Sequence, residues 1–115
     1  MTFDEAIAHV RGNGSEPESE TRVVGGVVVR EFHIPAGQLL LSHKHPYDHL
    51  SLLISGEATL RDGAETKELK GPRMVEIKAG IEHALFAKTD CVWDCLHSLF
   101  LSEQSGDPEL MKGIK

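Results

Sequence analysis

The sequence predicts an all-β domain, a barrel or a sandwich. Three observations predict it. Short runs rich in Val, Ile, Leu and Thr recur from Arg22 to Leu101. Gly and Pro signals punctuate them at regular intervals. Helical spacing of apolar residues is confined to the termini. Many short strands with turn signals between them, and helices only at the ends, define that class.

The chain opens with Thr2-Phe-Asp-Glu5, a capping box with Thr2 as N-cap and Glu5 at N3. Phe3, Ile7 and Val10 then form one apolar stripe, so the spacing predicts a short helix over about residues 3–11. His9 lies near that stripe and is assigned no function. The polar, turn-forming stretch from Gly12 to Thr21 reads as a linker. The domain organisation expected is a helix and linker over 1–21, a barrel over 22–102 and a tail over 103–115.

From Arg22 the residues become β-branched, and Gly25-Gly26 offers a two-residue hairpin turn. Pro35-Ala-Gly37 ends the second strand. Strands follow over Gln38 to His43 and Tyr47 to Ile54. Leu39, Leu41, Leu50, Leu52 and Ile54 make these strands apolar on both faces, which implies burial on both. The outer face is therefore expected to meet a second subunit or the N-terminal segment. Asp62-Gly63 is a strong hairpin signal, read with both residues in the turn at φ > 0. Glu65 to Leu69 returns, Gly71-Pro72 turns, and Arg73 to Ile77 follows. Ala79-Gly80 turns the chain toward strands at His83 to Ala87 and Cys91 to Leu101. Gly106-Asp-Pro108-Glu reads as an N-cap with proline at N1, so a short terminal helix is expected.

Composition narrows function. At 115 residues the chain is one domain with one modest core. Twelve basic and 18 acidic residues give a net charge of −6, with no basic cluster. Phosphate-directed nucleic-acid binding needs concentrated Lys and Arg, so it is not expected. Anionic membranes are excluded on the same ground. No apolar run approaches the roughly 20 residues that span a bilayer. The N-terminus shows no signal-peptide pattern, which makes the cytoplasm the expected location. Cys91 and Cys95 are not a secreted disulfide framework.

The chemistry concentrates between Gly37 and Gly56. His43, His45 and His49 fall at i, i+2 and i+6. Even offsets on a strand share a face, so His43 and His45 project together, and His49 joins them if the strand resumes after Pro46-Tyr47-Asp48. Neutral imidazole is the commonest ligand of divalent transition metals. This stretch resembles the first motif of the cupin superfamily, with Gly37, His43, His45 and Gly56 in register. His49 stands where that motif usually carries glutamate. Gly71 to Ala87 resembles the second motif in part, with Gly80 and His83 as its Gly-x-x-His. Lys78 replaces the usual proline, Ala87 the usual asparagine, and the Gly71–Gly80 gap is one residue longer than the usual pattern. The resemblance implies a double-stranded β-helix, the jelly-roll barrel.

It also implies one divalent metal ion held by His43, His45, His49 and His83. Four neutral imidazoles would leave the full +2 charge on the site. Nitrogen ligation suits Fe, Ni, Cu, Zn and Co, with Mn also compatible. Second ring nitrogens need acceptors, for which Asp48, Ser51 and Ser55 are candidates. Cys91, Trp93, Cys95 and His97 share one face of the last strand. If that face points inward, His97 is the candidate catalytic acid/base, while the cysteines fill core space. Lys78 and Glu82 read as surface charges.

Two functions compete, with a third behind them. One is a metal-dependent enzyme, dioxygenase-like or an isomerase or sugar-acid-processing enzyme, acting on a small organic molecule. The second is a non-catalytic cupin module, metal-stabilised or ligand-binding, serving as a sensor or assembly part. The third is a metal-free barrel whose histidines line a pocket. A homodimer through the apolar outer strand faces is expected.

Overall fold

A computed structural model of the chain describes Glu5 and residues 17–42 and 46–98. The predicted terminal helices lie outside the described residues, apart from Glu5, as do His9, His43 and His45.

Nine strands make up the described chain: β1 (Glu18–Val24), β2 (Val27–Ile34), β3 (Leu39–Ser42), β4 (His49–Ser55), β5 (Glu57–Asp62), β6 (Glu65–Lys70), β7 (Arg73–Ile77), β8 (His83–Ala87) and β9 (Cys91–Ser98). They form two sheets, ordered β1-β2-β9-β4-β7 and β3-β8-β5-β6, with antiparallel pairing throughout. The inner faces bury Phe32, Ile34, Leu40, Leu53, Leu60, Leu69, Ile77, Leu85 and Trp93 in one core. Burial alternates along β9, with Cys91, Trp93, Cys95 and His97 inside and Val92, Asp94 and Leu96 less buried. This is the all-β, double-stranded β-helix architecture of cupins.

The first strand and the β5–β6 turn differ from the sequence reading, each for a physical reason. The stretch read as the end of a linker is already strand, because β1 begins at Glu18. Only Thr21 of β1 is buried, so this edge strand shows no apolar alternation. Its charged residues are those that protect a sheet edge. The β5–β6 hairpin turns on Gly63-Ala64, and Asp62 closes the ladder opposite Glu65. Gly63 takes φ +59° while, among the described residues, no non-glycine residue has positive φ. Glycine at the first central position with an ordinary second residue fits a type II′ turn. Asp62 is thereby moved out of the turn and onto the strand.

Gly56 is fixed by close approach as well as by backbone. It has φ +97°, and a Cβ there would lie 2.4 Å from the Asp90 carbonyl oxygen and 2.8 Å from Cys91 Sγ. Only glycine lets β4 turn into β5 against the start of β9.

Candidate metal centre

Pairing brings the second motif to the first. Asp62 of β5 stands opposite His83 of β8. On the other sheet β4 runs beside β9, with Leu50 opposite Leu96, which sets His49 next to His97. His49 and His83 are 8% and 3% exposed. Both line one small cavity of about 10 Å³, with Leu40, Ser51, Leu60, Ile77, Leu85, Trp93 and Cys95. That volume is about one water-sized sphere, so the cavity admits a single ion or water.

His83 is held in a defined tautomer. Its Nδ1 lies 2.9 Å from the Ile81 carbonyl oxygen, which can only accept, so Nδ1 carries the hydrogen and donates. Nε2 is the nitrogen left to face the interior. Such a backbone acceptor behind the ring is a common way to orient a metal-binding histidine. Nε2 also lies 3.1 Å from Asp62 Oδ1, and Asp62 Oδ2 lies 3.3 Å from Lys67 Nζ.

His97 is buried at 5% exposure and packs its ring on His49, with centroids 4.2 Å apart and planes at 36°. Tyr47 meets His97 edge-on at 5.9 Å, and its hydroxyl lies 3.4 Å from Nδ1. The inward face of β9 thus delivers His97 to the ring of a candidate ligand. Among the described residues, no group of three or more His, Cys, Asp or Glu side chains is arranged to hold a metal ion. Two of the four expected ligands meet at one cavity, and the other two lie outside the described residues.

The three serine and aspartate candidates for supporting acceptors divide. Ser51 lines the cavity but donates to Cys95 Sγ at 3.6 Å. Ser55 lies at the far end of β4, lining a different groove. Asp48 accepts from the Ala79 backbone N–H at 2.8 Å, tying the bend before β4 to the second-motif turn. That hydrogen bond holds the Asp48 carboxyl below the usual carboxylate range, aided by Lys78 3.6 Å away. Lys78 itself is engaged by Glu76 at 2.7 Å, so the residue replacing the motif proline is a surface cation in an ion-pair cluster.

The cysteines are core thiols. Burial pushes the Cys95 thiol up, which favours its protonated form. Cys91 donates to the carbonyls of Thr89 and Glu57 at 3.2 and 3.4 Å, six positions along β9 from His97. Both are free. A wider open groove of about 610 Å³ lies at this Cys91 end, lined in part by His33, Gln38, Asp90 and Cys91. No candidate ligand lines it. At about 3.3 Å per strand residue it is roughly 20 Å from His97.

Sequence reasoning missed Asp62 and Tyr47 at this site. The signal for Asp62 was present in the alternation Ala58, Leu60, Asp62, whose middle member lines the cavity. Asp-Gly outweighed it as a turn signal.

No family model matches the chain, and no curated protein matches it. Solved structures do. An uncharacterized conserved protein with a double-stranded beta-helix domain from Klebsiella pneumoniae is 25% identical, with TM-score 0.63 over 79% of this chain and 84% of that one. A cupin-2 domain containing protein from Shewanella frigidimarina gives TM-score 0.59 at 12% identity, over 85% and 93%. Salicylate 1,2-dioxygenase from Pseudaminobacter salicylatoxidans gives TM-score 0.67 at 12% identity, over 89% of this chain and 33% of that one. This chain spans about a third of the dioxygenase. These likenesses define the class as a cupin-fold protein.

Proposed function

We propose that this chain binds one divalent transition metal inside the barrel through His43, His45, His49 and His83, and acts there on a small organic molecule. The observation that carries the reading is the small, single-ion cavity shared by His49 and His83, with His83 Nδ1 committed to a backbone carbonyl. The metal would supply Lewis acidity and a template for substrate. The chain's own residues orient and shield it. Ile81 fixes the His83 ring, Asp48 clamps the second-motif turn, and Leu60, Leu85 and Trp93 exclude water. His97, stacked on His49 and next to Tyr47, is the candidate to hold or move a proton. The dioxygenase likeness makes oxygen-dependent chemistry on a hydroxylated aromatic acid the first activity to assay.

One observation favours a second reading, a metal-stabilised module without catalysis. The cavity has room for an ion but not for an organic substrate. In either reading we infer a homodimer through the outer face of the larger sheet, where Leu50, Ile54 and Met74 are 37%, 42% and 67% exposed.

Elemental analysis of tag-free protein tests the metal reading. We expect about one metal per chain, falling at least tenfold in His49→Ala and His83→Ala. Equal metal content in wild type and both variants rejects it. Oxygen uptake with salicylate as probe, by metal-loaded wild type and not by His97→Asn, separates the enzyme from the module. Light scattering reads the dimer, and monomers at micromolar concentration reject it.

A further inference from the structure

We propose that two copies of this chain pack the outer faces of their larger sheets about a two-fold axis along β9. Arg22 of each copy then meets Glu76 of the partner subunit, and the two Asp94 carboxyls meet at the axis. The proposal rests on the homodimer reading above, and its test separates the two.

Strand order and register supply the geometry. β9 is the middle strand of β1-β2-β9-β4-β7. Arg22 pairs with Val29, Val29 with Leu96, Leu96 with Leu50, and Leu50 with Glu76. Their chain neighbours Thr21, Val28, Cys95, Ser51 and Ile77 are buried, so this row lies on the outer face. It runs from a cation on one edge strand, over three aliphatic side chains, to a carboxylate on the other edge. At about 4.8 Å between strands, Arg22 and Glu76 each lie about 10 Å from β9.

That row is self-complementary. A half-turn about β9 exchanges its ends. Arg22 then faces the partner's Glu76, Val29 faces the partner's Leu50, and Leu96 faces the partner's Leu96. A half-turn about the row itself would instead set Arg22 against Arg22 and Glu76 against Glu76, and like charges oppose association. The arrangement about β9 also keeps the strands of the two copies aligned, as face-to-face sheets prefer. Lys78 holds Oε1 of Glu76 at 2.7 Å, which leaves Oε2 for the partner's Arg22.

The next row makes the contact pH-dependent. It runs Glu20, Glu31, Asp94, Leu52 and Met74. The same half-turn sets Asp94 over the partner's Asp94. Its Oδ1 is already buried without a hydrogen-bond partner. On its β2 side stand Glu31 and, beyond it, Glu20. One flanking row holds Arg22 and, at its far end, Glu76; the other holds Glu18 and His33. Leu52 and Met74 bring no charge from β4 and β7. Covering Asp94 with a second carboxyl favours the protonated form, so association takes up protons. Dimers therefore weaken as pH rises through about 6, the value to which burial, then Glu31, raises the Asp94 carboxyl.

Sedimentation equilibrium of the full chain tests both parts. At about pH 5.5 we expect Arg22→Glu and Glu76→Arg each to weaken the dimer about tenfold or more, and the double variant to return to within about threefold of wild type. Both positions are exposed on edge strands, so circular dichroism should stay unchanged. A double variant no tighter than either single, or wild-type Kd in both singles, overturns the pairing and leaves the homodimer intact. Between about pH 5 and 7.5 the wild-type Kd should rise about tenfold, and Asp94→Asn should flatten that rise. A flat or falling wild-type profile, or an unchanged rise in Asp94→Asn, overturns the place of Asp94 on the axis. Wild type that stays monomeric at every pH overturns the homodimer reading and the proposal together.

Discussion

The two ends of β9 carry opposite designs. At the Cys91 end, polar groups are absorbed by the fold. Cys91 donates to two carbonyls, the Glu57 N–H donates to Thr89 Oγ1 at 3.0 Å, and the Ala36 N–H donates to Asp90 at 2.9 Å. Gly56 lies so close that a methyl group would collide with backbone. At the His97 end, His49 and His83 line one small cavity, His97 packs on His49 beside Tyr47, and Asp62 lies 3.1 Å from His83. Backbone hydrogen bonding closes the first end. The second gathers titratable side chains. Stability and chemistry are thus separated along one strand.

That separation can be broken from either side. The largest effect should come from Gly56→Ala, which combines a positive φ with a 2.4 Å contact. A loss of about 2 kcal/mol or more is expected in denaturant unfolding. Metal affinity of the folded fraction should stay unchanged. Weakened metal binding by the folded variant would join the two ends and defeat the comparison. His49→Ala should do the reverse, removing metal while metal-free stability falls by about 1–2 kcal/mol for the lost packing on His97.

A smaller effect sharpens the contrast between the faces of β9. Asp94 lies on the outer face with Oδ1 buried and without a hydrogen-bond partner. Burial, then the neighbouring Glu31, raises its carboxyl to about 6, against weaker opposing pulls from Arg22 and His33. A raised acid binds protons in the folded state first, so its contribution to stability declines as pH climbs from about 4 through 6. Asp94→Asn should therefore melt a few degrees higher than wild type at pH 7.5, with the gap closing near pH 4. A gap that widens on acidification would reverse the sign argued here.

The smallest effect belongs to Asp48, fully exposed and held low mainly by the Ala79 N–H. Its contribution is present above the ordinary carboxylate value and fades as pH falls through the lowered one. Asp48→Asn should flatten the acid limb of the stability curve below about pH 4 and leave neutral stability nearly unchanged. An unchanged acid limb would show that the turn is held without it.

Strand order and the site differ in how far the sequence reveals them. Arg73–Ile77 and His83–Ala87 are readable because turn glycines and apolar residues bound them closely. The inward set on β9 is readable because period two allows only two faces. β1 is hidden because an edge strand buries only Thr21 and so shows no alternation. Asp62 is hidden because turn chemistry fixes a hairpin's position only to within one residue, and one residue decides which face a side chain takes. The Ile81 carbonyl behind His83 has no sequence signal, since every residue carries one.

The most direct measurement is the crystal structure of metal-loaded protein, with anomalous diffraction recorded at the metal's absorption edge. The account predicts one strong peak in the barrel, about 2.1 Å from His83 Nε2 and from a ring nitrogen of His49. A peak confined to the Cys91 end, or His83 and His49 turned away from a metal bound elsewhere, would contradict it.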